Sequence, residues 1–281
     1  MSRAILAAGL AVAALALAGG TGAISNGVPD GNGHPNVGFM AIGFEIDGDL
    51  VRFAGCSGSY GGPRVGQPAQ KVFVTAAHCL NGAADAGITP DQFWVTFDST
   101  VDIDLETGAI TSSNTWHQAS AIAFDSGKNP ANPQDYAVVL LTSVPAGLSP
   151  IQMPTEGLLS KLAAKGGLKP GTVIDNVGYG VIPSFTKGPP RYDVPPGRLF
   201  STSLFKGITQ SFLKLNANPN TAPGNGGSCF GDSGSPKFLH GTNIAVAVQF
   251  GGDAICRAEN DASRLDVPAA RAFYGRYLQL P

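Results

Sequence analysis

The chain has 281 residues, a net charge of −2 and only 14% charged residues, below the ~25% usual for soluble proteins. That balance gives nothing to attract nucleic acid or an anionic lipid surface. Gly 38 and Pro 21 together fill about a fifth of the chain, which points to many short strands and tight turns. Such a length holds one large all-β domain or two small barrels.

The first 23 residues read as a signal peptide. Arg3 supplies the positive start, Ala4 to Ala18 the apolar run, and Thr21 and Ala23 the small residues before a cleavage point. A membrane helix needs roughly 20 apolar residues. The run is shorter, so export is expected rather than anchoring, with a secreted protein and no membrane partner once the signal is gone. No Asn-x-Ser/Thr acceptor for N-glycosylation occurs.

Apolar alternation from Val37 to Ile46, a turn at Asp47-Gly48-Asp49, and a second run from Leu50 to Cys56 predict a hairpin. Val72 to Ala76 predicts a buried strand leading straight into His78. Further strands are expected at Phe93–Phe97, Ala119–Phe124 and Tyr136–Leu141, the last starting right after Asp135. The stretch from Ser143 to Pro154 carries three prolines and no strand pattern, and reads as a crossing between halves. Strands follow at Thr172–Gly178, Leu199–Leu204, Phe212–Leu215, Pro236–Leu239 and Ile244–Phe250. From Pro268 the spacing of Ala269, Ala270, Phe273, Tyr274, Tyr277 and Leu278 predicts one amphipathic helix, over about 268–279.

Three segments carry chemistry: Thr75-Ala76-Ala77-His78-Cys79, Asp135-Tyr136-Ala137-Val138-Val139-Leu140-Leu141 and Cys229-Phe230-Gly231-Asp232-Ser233-Gly234-Ser235-Pro236. A serine hydroxyl is a weak nucleophile until a positioned base takes its proton. His78 suits that base, and Asp135 can fix the imidazole tautomer and stabilise the cation that forms. His34, His117 and His240 lack such a setting and are expected to be structural. Asp98, Asp102, Asp104 and Asp125 compete with Asp135. Asp125 is the serious rival, but only Asp135 stands at the mouth of a near-continuous apolar strand. Glycines around Ser233 permit a tight turn in which the amides of Gly231 and Ser233 point at one spot, as an oxyanion hole requires.

These segments resemble the TAAHC, D-I-A-L-L and GDSGGP signatures of the chymotrypsin/trypsin-like serine proteases, in a secreted, bacterial type. The order His, Asp, Ser is that family's order. The resemblance implies an all-β fold of two antiparallel Greek-key barrels with a C-terminal α-helix. It puts the first barrel over about 24–143 and the second over about 155–267, with the site between them. It implies a secreted serine endopeptidase acting on peptide or protein substrates as a monomer without cofactor or metal. A catalytically silent binding protein, or an esterase sharing the triad, stands as the alternative.

Four cysteines allow three disulfide pairings. Cys56–Cys79 and Cys229–Cys256 close the shortest loops and match the family's histidine-loop and serine-loop bridges. The resemblance further implies a specificity pocket of Gly227, Ser228 and Phe230 with Gln249, Phe250 and Gly251. Gly227 is neutral where trypsin-like members carry aspartate, although Asp253 and Glu259 lie close enough in sequence to reach the pocket. Gln249 stands where serine is usual and could alter the support of Asp135; Ser235 replaces a common glycine. Finally, Ile24-Ser25-Asn26-Gly27 resembles the family's mature start. Cleavage after Ala23 would free an Ile24 ammonium to pair with Asp232.

Overall fold

The computed structural model describes residues 24–281 apart from 128–132, 185–190 and 196, so the expected signal peptide lies outside the described residues. After a short β1 (Val28–Pro29), six strands close into a barrel: β2 (Val37–Ile46), β3 (Asp49–Arg64), β4 (Gln67–Thr75), β5 (Phe93–Thr96), β6 (His117–Asp125) and β7 (Tyr136–Leu141). Around the ring they run β2-β3-β4-β7-β6-β5, all antiparallel. Helix α1 (His78–Asp85) follows β4, and α2 (Leu158–Ala164) lies in the crossing to the second half.

The second half carries β8 (Val173–Gly178), a small hairpin of β9 (Ile182–Ser184) and β10 (Arg191–Asp193), then β11 (Leu199–Ile208), β12 (Phe212–Asn216), β13 (Pro236–Leu239), β14 (Ala245–Gly252) and β15 (Glu259–Arg264). Because β8 pairs with both β13 and β11, these strands also form a ring, β8-β11-β12-β15-β14-β13. In each ring the order is first, second, third, sixth, fifth, fourth. The chain therefore winds the same Greek-key path twice, and α3 (Pro268–Tyr274) closes it.

Local chemistry explains most of the elements. The hairpin between β2 and β3 turns on Asp47 and Gly48, both with positive φ, the conformation that a two-residue Asp-Gly turn supplies. Strand β7 is buried on both faces, which is why its sequence is a continuous apolar run. Its Ala137, Val139 and Leu141 join Met40, Phe73 and Phe93 in one core. Its Tyr136, Val138 and Leu140 face a second core shared with Val177, Phe238 and Val248 of the other barrel.

Four differences separate the structure from the sequence reading. β3 runs eight residues past Cys56 because its glycines serve packing, not turns: a Cβ on Gly58 would lie 2.5 Å from the Phe73 ring. β15 has no apolar alternation, and two of its buried polar side chains are tied by hydrogen bonds, Asn260 to Ser228 and Arg264 to Asp266. The terminal helix ends at Tyr274, short of 279, and α1 and α2 bring the helices to three among the described residues. Residues 24–29, expected with the first barrel, belong to the second: Val28 pairs with Phe200 and Ser25 with Gly227.

Arg198 locks that N-terminal segment to both barrels. It is 2% exposed. Its Nε donates to Asp30 Oδ2 (2.8 Å), Nη2 to the Gly31 carbonyl (2.7 Å), and Nη1 to the Val37 carbonyl (3.0 Å) and Tyr179 Oη (3.0 Å). Burial alone would raise the Asp30 carboxyl, but hydrogen bonds from His34 and Arg198 outweigh it and hold it below the usual carboxylate range.

A carboxyl depressed on folding stabilises above its unfolded pKa of 3.8, and that stability disappears as pH falls through the lower folded value. Wild-type protein should therefore lose stability in acid below about pH 4. Asp30→Asn should lack that acid-sensitive part. It should also cost about 3–5 kcal/mol at neutral pH, since Arg198 is left buried without its counter-charge. Urea midpoints at pH 7 and pH 3 check both.

Candidate active site

Register brings the first two residues together. β4 pairs with β7 so that Thr75 lies opposite Ala137, placing His78 just past the end of one strand and Asp135 just before the start of the other. Asp135 is 2% exposed; its Oδ2 lies 2.8 Å from His78 Nδ1 and its Oδ1 accepts the His78 backbone N–H at 2.8 Å. A carboxylate can only accept there, so Nδ1 carries the proton and the lone pair is left on Nε2. His78 Nε2 is shielded from solvent and holds no hydrogen bond among the described residues. The Phe250 ring stands edge-on to the imidazole at 6.2 Å. Behind Asp135, the α3 residues Phe273 and Tyr274 pack on Tyr136, at 6.2 and 5.8 Å.

The rival acid does other work: Asp125 caps the Gly127 amide at 2.9 Å. The other three histidines are also accounted for. His34 binds Asp30 (2.6 Å) between the Phe200 and Phe238 rings, His117 meets Ser143 Oγ (2.8 Å), and His240 binds Asp175 (2.7 Å).

Ser233 comes from the second barrel, and Ser57 joins it to the first. The Ser57 N–H donates to the Ser233 carbonyl at 2.9 Å, and Ser57 Oγ donates to the Gly231 carbonyl at 2.9 Å. Ser57 Oγ in turn accepts the Tyr179 N–H at 3.1 Å, while the Ser57 carbonyl accepts from Thr75 Oγ1 at 2.9 Å. The turn has no room to drift. Gly234 has φ +79°, and a Cβ there would lie 2.1 Å from Thr75 Oγ1 and 2.8 Å from the Ala76 nitrogen, two residues before His78. The Phe230 and Asp232 carbonyls, which share peptide planes with the Gly231 and Ser233 amides, accept from the Val181 and Ser235 N–H groups at 2.9 and 2.8 Å, and those two amides donate to no acceptor among the described residues.

Disulfides pin both loops: Cys56 is bonded to Cys79, beside His78, and Cys229 to Cys256. Disulfides of this kind persist in oxidising compartments. Cys56, His78 and Cys79 bring their ligand atoms within 4.8 Å of one another, but both sulfurs are spent in the bridge, so the group offers no metal site.

The expected pocket residues separate into different jobs. A Cβ on Gly227 would overlap Asn260 Oδ1 (2.2 Å), and Asn260 takes both the N–H (2.7 Å) and the carbonyl (3.0 Å) of fully buried Ser228. Gln249 is also buried; its Nε2 donates to the Gly251 carbonyl at 2.7 Å, so its polar contact is not with Asp135. Phe230 packs against Tyr192 and, with Gly231, Phe39, Leu105 and Tyr179, lines an apolar groove of about 90 Å³. Phe250, 37% exposed, remains beside His78, and Gly251 follows it on β14. Asp253 is committed to the amides of Arg257, Ala258 and Glu259, and Glu259 to Lys206.

Asp232 is fully buried and accepts the N–H of Gly180 at 3.0 Å and of Cys229 at 3.1 Å. Ile24 is fully buried as well. Lys237 is fully buried nearby: burial pushes the Asp232 carboxyl up and the Lys237 amine down, and the charge of each draws the other back. Lys237, Ser57 and Asn260 are the site residues that sequence reasoning missed. For Lys237 the signal was present: a lysine inside an otherwise apolar strand, four residues after the serine.

No protein-family model matches this chain, and neither does any curated protein. Solved structures do. Human heparin binding protein superposes with a TM-score of 0.58 at 15% identity, over 89% of this chain and 95% of its own. HL collagenase superposes with a TM-score of 0.55 at 18% identity, over 91% and 97%. Identities this low establish the fold: two barrels of the chymotrypsin-like kind.

Ser57→Ala tests the seam. It deletes one hydroxyl that serves two buried backbone groups, so stability should fall by about 1–3 kcal/mol. If the turn loosens as expected, amide exchange at Tyr179 and Ser57 should accelerate by more than the unfolded fraction explains. Thermal melts beside hydrogen exchange measure the two effects separately.

Proposed function

We propose that this protein is a secreted serine endopeptidase of the chymotrypsin-like family. The observation that carries the reading is the pairing of a buried, doubly bonded Asp135 with His78, whose Nε2 is uncommitted, beside a clamped serine turn with two unspent amides. Ser233 Oγ attacks the scissile carbonyl while His78 Nε2 takes its proton and later gives it to the leaving amine. Asp135 holds the imidazole tautomer and stabilises the imidazolium. The Gly231 and Ser233 amides stabilise the oxyanion, an effect worth roughly 10²–10³ in rate per donor. The scheme calls for no metal or cofactor.

Substrate would lie extended along β14. The pairing of β13 with β14 stops at Pro236 opposite Val248, and the Gln249 N–H and carbonyl are taken by Ser235 and Gly234 of the serine turn, so a peptide strand would lie against β14 beyond Gln249, at Phe250 and Gly251. Phe250 and the groove at Phe230 offer apolar contact on either side of the reacting bond. Removal of residues 1–23 as a signal would deliver the enzyme outside the cell, where both disulfides are stable. The solved neighbours give no support for a bacterial type. A silent binding protein on the same fold is the weaker reading, because no catalytic side chain is missing.

Ser233→Ala should lower kcat by about 10⁶ while leaving the melting temperature near wild type. A phosphonofluoridate probe should label wild-type Ser233 and leave the variant unlabelled. A variant that keeps a tenth of the wild-type rate would overturn the assignment. Since a histidine base must be neutral to accept a proton, kcat/KM should fall on acidification. A flat profile between pH 5 and 8 would count against His78.

A further inference from the structure

Two buried ionisable side chains at the serine turn, Asp232 and Lys237, are not used by the proposed chemistry; no direct bond joins them among the described residues, and Ser228-Cys229 lies between, Ser228 bonded to Lys237 and Cys229 to Asp232. Asp232 lies between Gly231 and Ser233, and its carboxylate holds the amides of Gly180 and Cys229. It has no slack, since a Cβ on Gly178 would lie 2.0 Å from its Oδ1. Lys237 sits on β13, next to Phe238, which packs in the core between the barrels. Strand alternation turns Lys237 the other way, and it is fully buried. Its Nζ donates to Ser228 Oγ, and the next peptide N–H along, that of Cys229, is the one Asp232 accepts.

An ammonium shut away from water needs a counter-charge, or it gives up its proton. Burial drives Lys237 down and Asp232 up, and each charge draws the other back. The other source of positive charge would be a freed Ile24 ammonium. In the full chain the Ile24 nitrogen is an uncharged amide. Even so, Ser25 is already seated, its N–H on the Gly227 carbonyl at 2.5 Å.

We propose that Lys237 is a positioning residue: its buried ammonium holds the Asp232 carboxylate in place, so that the turn bearing Gly231 and Ser233 is ordered by a charge inside the fold, whether or not Ile24 has been freed. The consequence for regulation is direct. Cleavage before Ile24 exports the protein but does not switch it on. The kinetic part rests on the endopeptidase reading; the structural part does not.

The test uses wild type beginning at Ile24, wild type with two alanines kept before Ile24, Lys237→Met, Asp232→Asn and the Asp232→Asn/Lys237→Met double variant. Each is measured for kcat and KM on a peptide ester and for amide hydrogen exchange at Gly180 and Cys229. Lys237→Met should lower kcat about 10²–10³-fold, as losing one oxyanion donor does, with KM nearly unchanged. Exchange at both amides should accelerate. The extended protein should match wild type in rate and exchange. Should Lys237→Met fail to fold, the double variant decides: removing both charges should recover much of the stability that either single change loses. Additive losses would overturn the proposal. So would wild-type exchange in folded Lys237→Met, or fast exchange at Gly180 and Cys229 in the extended protein. If wild type itself turns over no ester, the endopeptidase reading fails, and the exchange and stability results still decide the role of Lys237.

Discussion

Ser57, through its backbone N–H and its hydroxyl, is the point on which the arrangement turns. It belongs to the first barrel, follows the cysteine that is bridged to the neighbour of His78, and holds the carbonyls on either side of Asp232. Two barrels that met only through apolar side chains could slide by fractions of an ångström at little cost, because the hydrophobic effect is not directional. Hydrogen bonds are directional. Ser57 fixes the Gly231 and Ser233 carbonyls from the barrel that carries the histidine, while the amides of Gly231 and Ser233 are aimed by the carbonyls that share their peptide planes, Phe230's held by the Val181 N–H and Asp232's by the Ser235 N–H.

The two barrels repeat one strand order but fill it differently. The first encloses Met40, Phe73, Phe93, Val95 and Val139, with little polar content. The second has an apolar centre in Ile174, Leu213, Leu215 and Val246, yet its end nearest the serine is polar: Asn176, Ser203, Ser228, Lys237 and Asn260 are all buried there. Buried polar groups cost free energy unless they are bonded to one another, and these mostly are: Asn176 to Ser203, Ser203 to the Gly226 carbonyl, Lys237 to Ser228, and Asn260 to Ser228. A network of this kind has few alternative arrangements. It suits a wall against which a reactive turn must be held, whereas the first barrel, which offers His78 from a strand end, relies on packing.

Arg198 does the corresponding work at the seam. It ties the segment after Ile24 to carbonyls of the first barrel and to Tyr179 at the end of β8. The segment after Ile24 and both barrels are thereby coupled through Arg198, paired with the buried side chain of Asp30, while buried Lys237 bonds Ser228 beside the serine turn.

What the sequence determined by itself was local. Strand β7 and the position of Asp135 could be read because a strand buried on both faces must be continuously apolar. The β2–β3 hairpin was legible because Asp-Gly favours positive φ, and the three catalytic candidates because each stands in a short, distinctive segment. Tertiary structure decided the rest. The run that ends at Cys56 in sequence continues through Gly58 because the Phe73 ring lies on that glycine. β15 reads as a loop because its buried faces are polar, and polar residues are tolerated inside only when partners from distant segments bond them. Ser57 and Asn260 are unremarkable as letters, and Lys237 became interpretable only once β13 was placed beside Asp232 and Ser228. Periodicity and turn chemistry act between near neighbours and are written in sequence order. A hydrogen bond across 174 residues, such as Ser57 to Gly231, is not, and it exists only after the two barrels have met.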